Sequence, residues 1–320
     1  EIDYLKDELW KPNDLKSPGE IDKIEPYIKL TDDVKQYDII RRMIHSMEFV
    51  LGNGRALRLE VRNKVDDKIL GLIVLSSDMP SLDCRDNWIG WDRHLQMDKG
   101  KLRNTAVMSS CVAVQPFGYN YNGMKLIASM ATDKVVRDLW KERYGDELVG
   151  ITTTSLYGSY SAYNSIPLWK KMGKSSGRMM VKPNDDIYEF WHGYLKSLYP
   201  KLFEEMRMTS GYKQKVLSMM FRMNGMKESD AQQNMIRGVY FSPLYKNTQD
   251  FLCDKIKSKD LILDQRIEQG IDYLMNWWKP KAKNRLSKLI DNDQLEEDVL
   301  WYGNFKEYEK LFQQWLSVRG

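Results

Sequence analysis

The sequence predicts a mixed α+β fold: a β-sheet flanked by helices, followed by a helical C-terminal region. Three observations carry this. Between residues 32 and 173 the patterns run helix, hairpin, strand, Gly-containing loop, helix, strand, short helix. From 184 onward, one returning strand aside, apolar residues recur mostly at helical spacing. The 320 residues are 42% hydrophobic and 29% charged, enough apolar material for one large core or two smaller ones.

Residues 1–30 contain Pro12, Pro18 and Pro26 and lack periodicity, so they read as an extended arm or a docked N-terminal segment. Val34, Ile39, Ile40, Met43, Ile44, Met47 and Val50 predict a helix over 32–51, broken by Asn53-Gly54. ALRLEV (56–61) alternates, Asp66-Asp67 supplies a turn, and ILGLIVLSS (69–77) reads as a buried strand, together a hairpin. NTAVMSSCVAV (104–114) is a third strand and PFGYNYNG (116–123) a loop. MKLIASMATDKVVRDLWKERYG (124–145) reads as one amphipathic helix stopped by Gly145. ELVGITTTSL (147–156) is a strand, and SAYNSIPLWKKMG (161–173) a short helix kinked or stopped by Pro167. Aromatic and Met stripes predict helices over 186–206, 265–278 and 308–318. The expected divisions are an arm (1–30), an α/β core (31–183), a helical insertion (184–235), a returning strand with a helix start (236–255) and a helical C-terminal region (256–320).

Composition narrows the function classes. No apolar run reaches the roughly 18 residues of a membrane span, and the acidic start EIDYLKDELWKPND does not look like a signal peptide. An intracellular protein with no membrane partner is the expectation. Cys84, Cys111 and Cys253 are far apart and form no CxxC pair, and His45, His94 and His192 fit no local ligand spacing, so no metal is expected. Net charge is +4. Basic residues cluster at Arg41, Arg42, Arg55, Arg58 and Arg62, and again at Lys279, Lys281, Lys283, Arg285 and Lys288 just after Trp277-Trp278. Cations beside aromatic rings suit a phosphate backbone with base stacking; the other reading is a solvated helix face with a half-buried Trp pair.

The order of elements resembles the GNAT-type acyltransferase core, a splayed mixed sheet flanked by helices. That resemblance implies a pyrophosphate-bearing, acyl-CoA-like donor at the loop opening the helix at Gly123, with Gln115, Gly118, Asn120, Asn122 and Gly123 as cofactor-binding candidates. The identity of a donor stays open. Trp169 stands where many such enzymes place an acidic Tyr, and Tyr157, Tyr160 and Tyr163 are the nearby phenols.

A second resemblance covers about 55–255. It rests on LSSDMPSLDCRDNWIGWD (75–92), RNTAVMSSCVAVQP (103–116), KLIASMA (125–131), LWKERYGDELVGITT (139–153), YNSIPLWKKMGKSSGR (163–178) and IRGVYFSPLYKNTQDFLC (236–253). These landmarks resemble the family of the DruA protein of Druantia anti-phage systems, with relatives in phages and mobile elements. The family's acidic residue after the fifth strand is replaced here within Ser155-Leu156-Tyr157-Gly158. The resemblance implies a cytoplasmic protein of a bacterial host cell, acting on DNA and with a protein partner in a phage or defence complex.

Two function classes follow. One is a GNAT-like transferase that modifies nucleic acid, with Asp86 or Asp92 as base, Tyr157 or Tyr163 as acid or orienting donor, and Arg55, Arg58, Arg85, Arg178, Lys279, Lys281 and Lys283 holding phosphates. The other is a non-catalytic module on the same fold that binds nucleic acid or a partner. Within RDNWIGWD, Trp88 and Trp91 are expected on one face of a helical turn, with Arg85 and Asp86 near a cleft mouth or paired with each other.

Overall fold

The computed structural model describes residues 5, 7–45, 54–156, 161–175, 178–180, 183–207, 212–227, 232–234 and 236–296. The chain divides into two compact units, Glu1–Ser155 with Tyr160–Gly173 and Val239–Gly320, and Leu156–Ser159 with Lys174–Gly238.

The fold is mixed α+β. In chain order the sheet strands are β1 (Pro26–Leu30), β2 (Ala56–Asn63), β3 (Ile69–Ser77), β4 (Thr105–Ala113), β5 (Gly150–Ser155), β6 (Lys170–Ser175) and, further on, β9 (Arg237–Pro243). They form one seven-stranded mixed sheet in the order β1-β2-β3-β4-β5-β9-β6. The β1–β2, β2–β3 and β3–β4 pairs are antiparallel, and β4–β5 is parallel. Strand β3 is buried from Ile69 to Leu75, which explains its unbroken apolar run: both faces are covered. The β2–β3 turn uses Asp67 at φ 55, and Asn63 donates to Asp66 at 3.0 Å.

The described part of 1–30 is docked onto this sheet. Leu9 bridges Ile69, the Trp10 N–H donates to the Ile69 carbonyl at 3.0 Å, and β1 pairs along β2. Trp10 then packs on Phe117 at 5.4 Å and Tyr121 at 5.8 Å. The predicted helix over 32–51 is α2 (Val34–Ile44), with α1 (Gly19–Asp22) before it. Asp33 caps α2 by accepting from the Gln36 N–H. His45 is extended and ends the helix, and residues 46–51 lie outside the described residues.

Arg85–Ile89 of RDNWIGWD lie on α3 (Asp83–Ile89), and Gly90, at φ 85, stops the helix before Trp91 and Asp92. The predicted single helix over 124–145 is two: after α4 (Phe117–Asn120) come α5 (Gly123–Met130) and α6 (Lys134–Tyr144). Asp133 is extended and its carboxylate accepts from the Val135 N–H at 2.8 Å, so a capping side chain outcompeted helical continuation. Gly145, at φ 73, ends α6 as predicted. Helix α5 lies against β3 and β4. A Cβ on Gly71 would come 2.7 Å from Ile127 of α5, so the glycine allows that approach.

No helix forms over 161–173. Ser165 and Leu168 take φ 61 and 72, which an α-helix excludes, and the chain leaves this turn directly into β6. Further on come β7 (Arg178–Met180), α7 (Asp185–Leu198), α8 (Pro200–Arg207), α9 (Tyr212–Met223) and β8 (Gln232–Asn234), with β7 and β8 antiparallel. Pro200 splits the predicted 186–206 helix because it has no N–H to donate. The three helices have a small core of their own, with Tyr188, Leu195, Phe203, Met206, Val216, Leu217 and Met220.

After β9 come α10 (Thr248–Leu252), α11 (Gln265–Glu268) and α12 (Gly270–Asp291). Helix α12 is longer than the predicted 265–278 and carries Pro280 inside it. Its buried stripe is Leu274, Trp278, Ala282, Leu286 and Leu289. Trp278 is fully buried against Phe117 at 5.7 Å, and truncating it to Ala costs about 3–5 kcal/mol. The predicted 308–318 helix lies outside the described residues. Among the described residues no helix is long and apolar enough to cross a membrane.

Candidate functional site

The motif around Arg85 is an interior ion cluster. The Arg85 side chain is 0% exposed and so is that of Asp78. Its guanidinium meets Asp78 at 2.8 Å and Asp86 at 2.7 Å, donates to the Met79 carbonyl at 2.7 Å, and lies 5.3 Å over the Trp91 ring. Thr152 of β5 donates to the second Asp78 oxygen at 2.9 Å, and the Leu82 N–H donates to Asp86. Every strong donor and acceptor of the group is therefore engaged inside the fold, which is what makes a buried guanidinium tolerable. Trp91 follows Gly90 rather than sharing a helical face with Trp88. Its indole donates to the Leu252 carbonyl at 2.9 Å, while Trp88 packs on Phe241 at 5.6 Å. Both anchors join one apolar cluster with Ile89, Val149, Phe251 and Leu252.

Asp92 is exposed, and its carboxylate accepts from the Leu95 N–H at 2.8 Å. Arg55 pairs with Asp146 at 2.9 Å and lies over Trp140, and Arg58 pairs with Asp38 at 3.1 Å. A cavity of about 590 Å³ borders Arg55, Asp78, Gln96, Lys99 and Arg103, with Asp98 also in its wall. Tyr157 and the side chain of Arg178 lie outside the described residues. Among the described residues no group of three or more His, Cys, Asp or Glu could hold a metal ion.

The β4–β5 ladder is short. It pairs Thr105–Val107 with Gly150–Thr152, although the strands run on to Ala113 and Ser155. Beyond the ladder, Thr153 donates to the Met108 carbonyl, and Tyr163 meets Thr153 and Cys111. Burial pushes the Cys111 thiol up to about 12 and the Tyr163 phenol well above its usual range, so at neutral pH both keep their protons. Trp169 donates to the Ala128 carbonyl at 3.2 Å.

The loop after β4 is packed from within. Gln115 accepts from the Tyr119 N–H, and a Cβ on Gly118 would come 2.8 Å from the Gln115 amide. The space beside Gly123 is filled by the Phe117 ring. Asn120 is fully buried and pairs through its amide with the backbone of Glu296. Asn122, at φ 54, precedes α5 without a side-chain cap, and its carbonyl accepts from the Trp278 indole at 3.2 Å.

Beside that helix start is a concave pocket of about 540 Å³. Asn122 and Lys125 form one wall; the other comes from α12, with Trp277, Lys281, Asn284, Arg285 and Lys288. Trp277, Lys281, Asn284 and Lys288 fall at i, i+4, i+7 and i+11, one helix face, turned about 100° round the helix from the buried stripe through Trp278. Among the described residues four cations and no carboxylate line the space, and none of the four is ion-paired. Lys125 instead donates to the carbonyls of Ala162 and Asn164, and Arg285 to that of Tyr119, over whose ring it lies at 4.6 Å. Burial, reinforced by Lys281, holds the Lys125 ammonium below its usual pKa. Lys279 and Lys283, predicted alongside Lys281, turn the other way: Lys279 donates to the Asp22 carbonyl at 3.1 Å and Lys283 pairs with its carboxylate at 2.7 Å.

The family described as Druantia protein DruA matches residues 20–254, nearly three quarters of the chain. The chain belongs to the DruA family. Among curated proteins it is similar to Druantia protein DruA of Escherichia coli (strain UMEA 4076-1), 26% identical over 253 residues covering 72% of this chain. It spans 62% of the length of that protein. No solved structure matches. The family segment contains the Arg85 cluster, the β4–α5 loop and Lys125, whereas the α12 wall of the pocket lies past its end. Asn284 and Asn292 have no motif signal in the sequence, and Lys125 opens the KLIASMA landmark without being marked there as a binding residue. Helical spacing alone separates Lys281 and Lys288 from Lys279 and Lys283.

Proposed function

We propose that this chain is a nucleic-acid-binding component of an anti-phage defence system of the Druantia kind, working with a protein partner of that system. Family membership supports the defence context. The single observation that supports nucleic acid is the pocket between α5 and α12: four cations without carboxylate partners among the described residues, a half-buried Trp and several amide side chains. Cations engaged with carboxylates, such as Arg55, Arg58, Arg85 and Lys283, are already neutralised; cations left open have charge available for phosphates. Fluorescence anisotropy with labelled DNA tests this. Affinity should fall steeply between about 50 and 200 mM salt. The Lys281→Glu/Arg285→Glu double variant should bind at least about tenfold more weakly, with a salt slope reduced by about one per lost phosphate contact. Binding that ignores both salt and the double variant would falsify the reading.

A second reading is favoured by the short β4–β5 ladder and by the position of the pocket where β4 leads into α5. Both suit a GNAT-like group transferase acting on DNA. The cations Lys125, Lys281, Arg285 and Lys288 fit the pyrophosphate of an acyl-CoA-like donor, which would supply the transferred acyl group. Asp92, which is exposed, would then be the base rather than Asp86, whose oxygens are held by Arg85 and the Leu82 N–H, and Tyr163, a neutral phenol, the hydrogen-bond donor. Mass spectrometry of nucleosides from DNA treated with the protein and candidate donors checks this. A new mass that vanishes in Asp92→Asn would move the assignment to a transferase.

A further inference from the structure

We infer that the pocket between α5 and α12 receives an unpaired nucleotide of a single strand, its base on Trp277 and its phosphates among Lys125, Lys281 and Arg285. This rests on the nucleic-acid reading and goes beyond it by naming the form of nucleic acid.

The two neighbouring tryptophans show why. Trp278 is fully buried and its indole N–H is satisfied by the Asn122 carbonyl. Trp277, one residue earlier, rotates by about 100° on the helix and opens half-buried onto the pocket, with Lys281 at 5.7 Å from its ring. A large aromatic ring left in a cationic pocket suits a base whose face is free. In a duplex the base faces are stacked on each other, and only edges and backbone reach a protein. The volume, about 540 Å³, is that of a small-ligand site, and admits a nucleotide rather than a helix of DNA. Asn284, Asn292 and Gln294 also line it, and amides supply both donors and acceptors for a base edge. Ser165 and Asn122 complete the lining, which among the described residues carries no negative charge.

The test compares a labelled single-stranded oligonucleotide with a blunt duplex of the same length, using the full chain, wild type and two variants. The expected result is tighter binding of the single strand and a loss of about tenfold for Trp277→Ala on that strand, with little change on the duplex. Trp277→Phe keeps an apolar ring in the same place and should retain most of the affinity, so a loss in Trp277→Ala alone is not misfolding. Circular dichroism melting of each variant provides the matching control. Equal affinity for both forms, or a Trp277→Ala variant that binds the single strand as wild type does, overturns the inference while leaving nucleic-acid binding intact. Absence of salt-sensitive binding to either form overturns the inference together with the reading beneath it. Coenzyme A titrated in place of the oligonucleotide, and bound where DNA is not, would then assign the cations to a soluble donor.

Discussion

Two cationic regions of this chain look alike on paper and differ in space. Arg85 sits in a conspicuous motif, fully buried between Asp78 and Asp86, with Thr152 completing the group. Lys281 and Arg285 sit in an unremarkable basic run, yet face an open pocket with no carboxylate among its described lining residues. The difference teaches that the number of charges in a segment says little about binding. What matters is whether each charge already has a counter-charge, and that is a property of the neighbours the fold supplies.

The largest expected effect comes from removing the buried charge. Arg85→Met leaves Asp78 uncompensated in the interior and should cost about 3–5 kcal/mol. Urea denaturation measures it. A variant as stable as wild type would mean that the cluster is not an interior clamp, and would reopen Arg85 to a ligand role. A smaller effect sharpens the pocket. Lys125 is held below its usual pKa by burial and by Lys281, and a bound phosphate favours its charged form. Affinity for DNA should therefore be highest below that depressed pKa and fall severalfold as pH rises through it. Lys125→Arg, which stays charged, should flatten the profile, and an unchanged pH dependence would remove Lys125 from the contact. The smallest effect is expected on the other edge of α12. Lys279→Ala and Lys283→Ala lose surface contacts to Asp22, so stability should drop by at most about 1 kcal/mol and DNA affinity should stay near wild type. A loss as large as that of the Lys281 and Arg285 reversal would erase the distinction between the two edges.

Much of the sheet was legible. ILGLIVLSS and NTAVMSSCVAV lie within a residue or so of β3 and β4, because long apolar runs and turn residues are local signals. The stretch 124–145 shows a limit: its helical pattern continues through Ala131-Thr132-Asp133, and the Asp133 cap overrode it. The stretch 161–173 shows another. Its residues can be written as a helix, yet Ser165 and Leu168 adopt left-handed backbone and the chain enters β6 instead. For the site, the sequence marked the Trp277-Trp278 pair and the cations after it, but not which of them share a face with Lys125.

By itself the sequence determined the α+β class, the hairpin and third strand, and family membership through ordered landmarks from LSSDMPSLDCRDNWIGWD to FSPLYKNTQDFLC. Periodicity, turn chemistry and motif order are written along the chain, so they can be read there. Only the tertiary structure decided that Arg85 is neutralised by Asp78, seven positions away and held in turn by the hydroxyl of Thr152, far along the chain, while Lys281 and Arg285 meet Lys125 across a pocket. Charge and burial are set by atoms within a few ångströms, and those atoms come from strands and helices that sequence distance does not order.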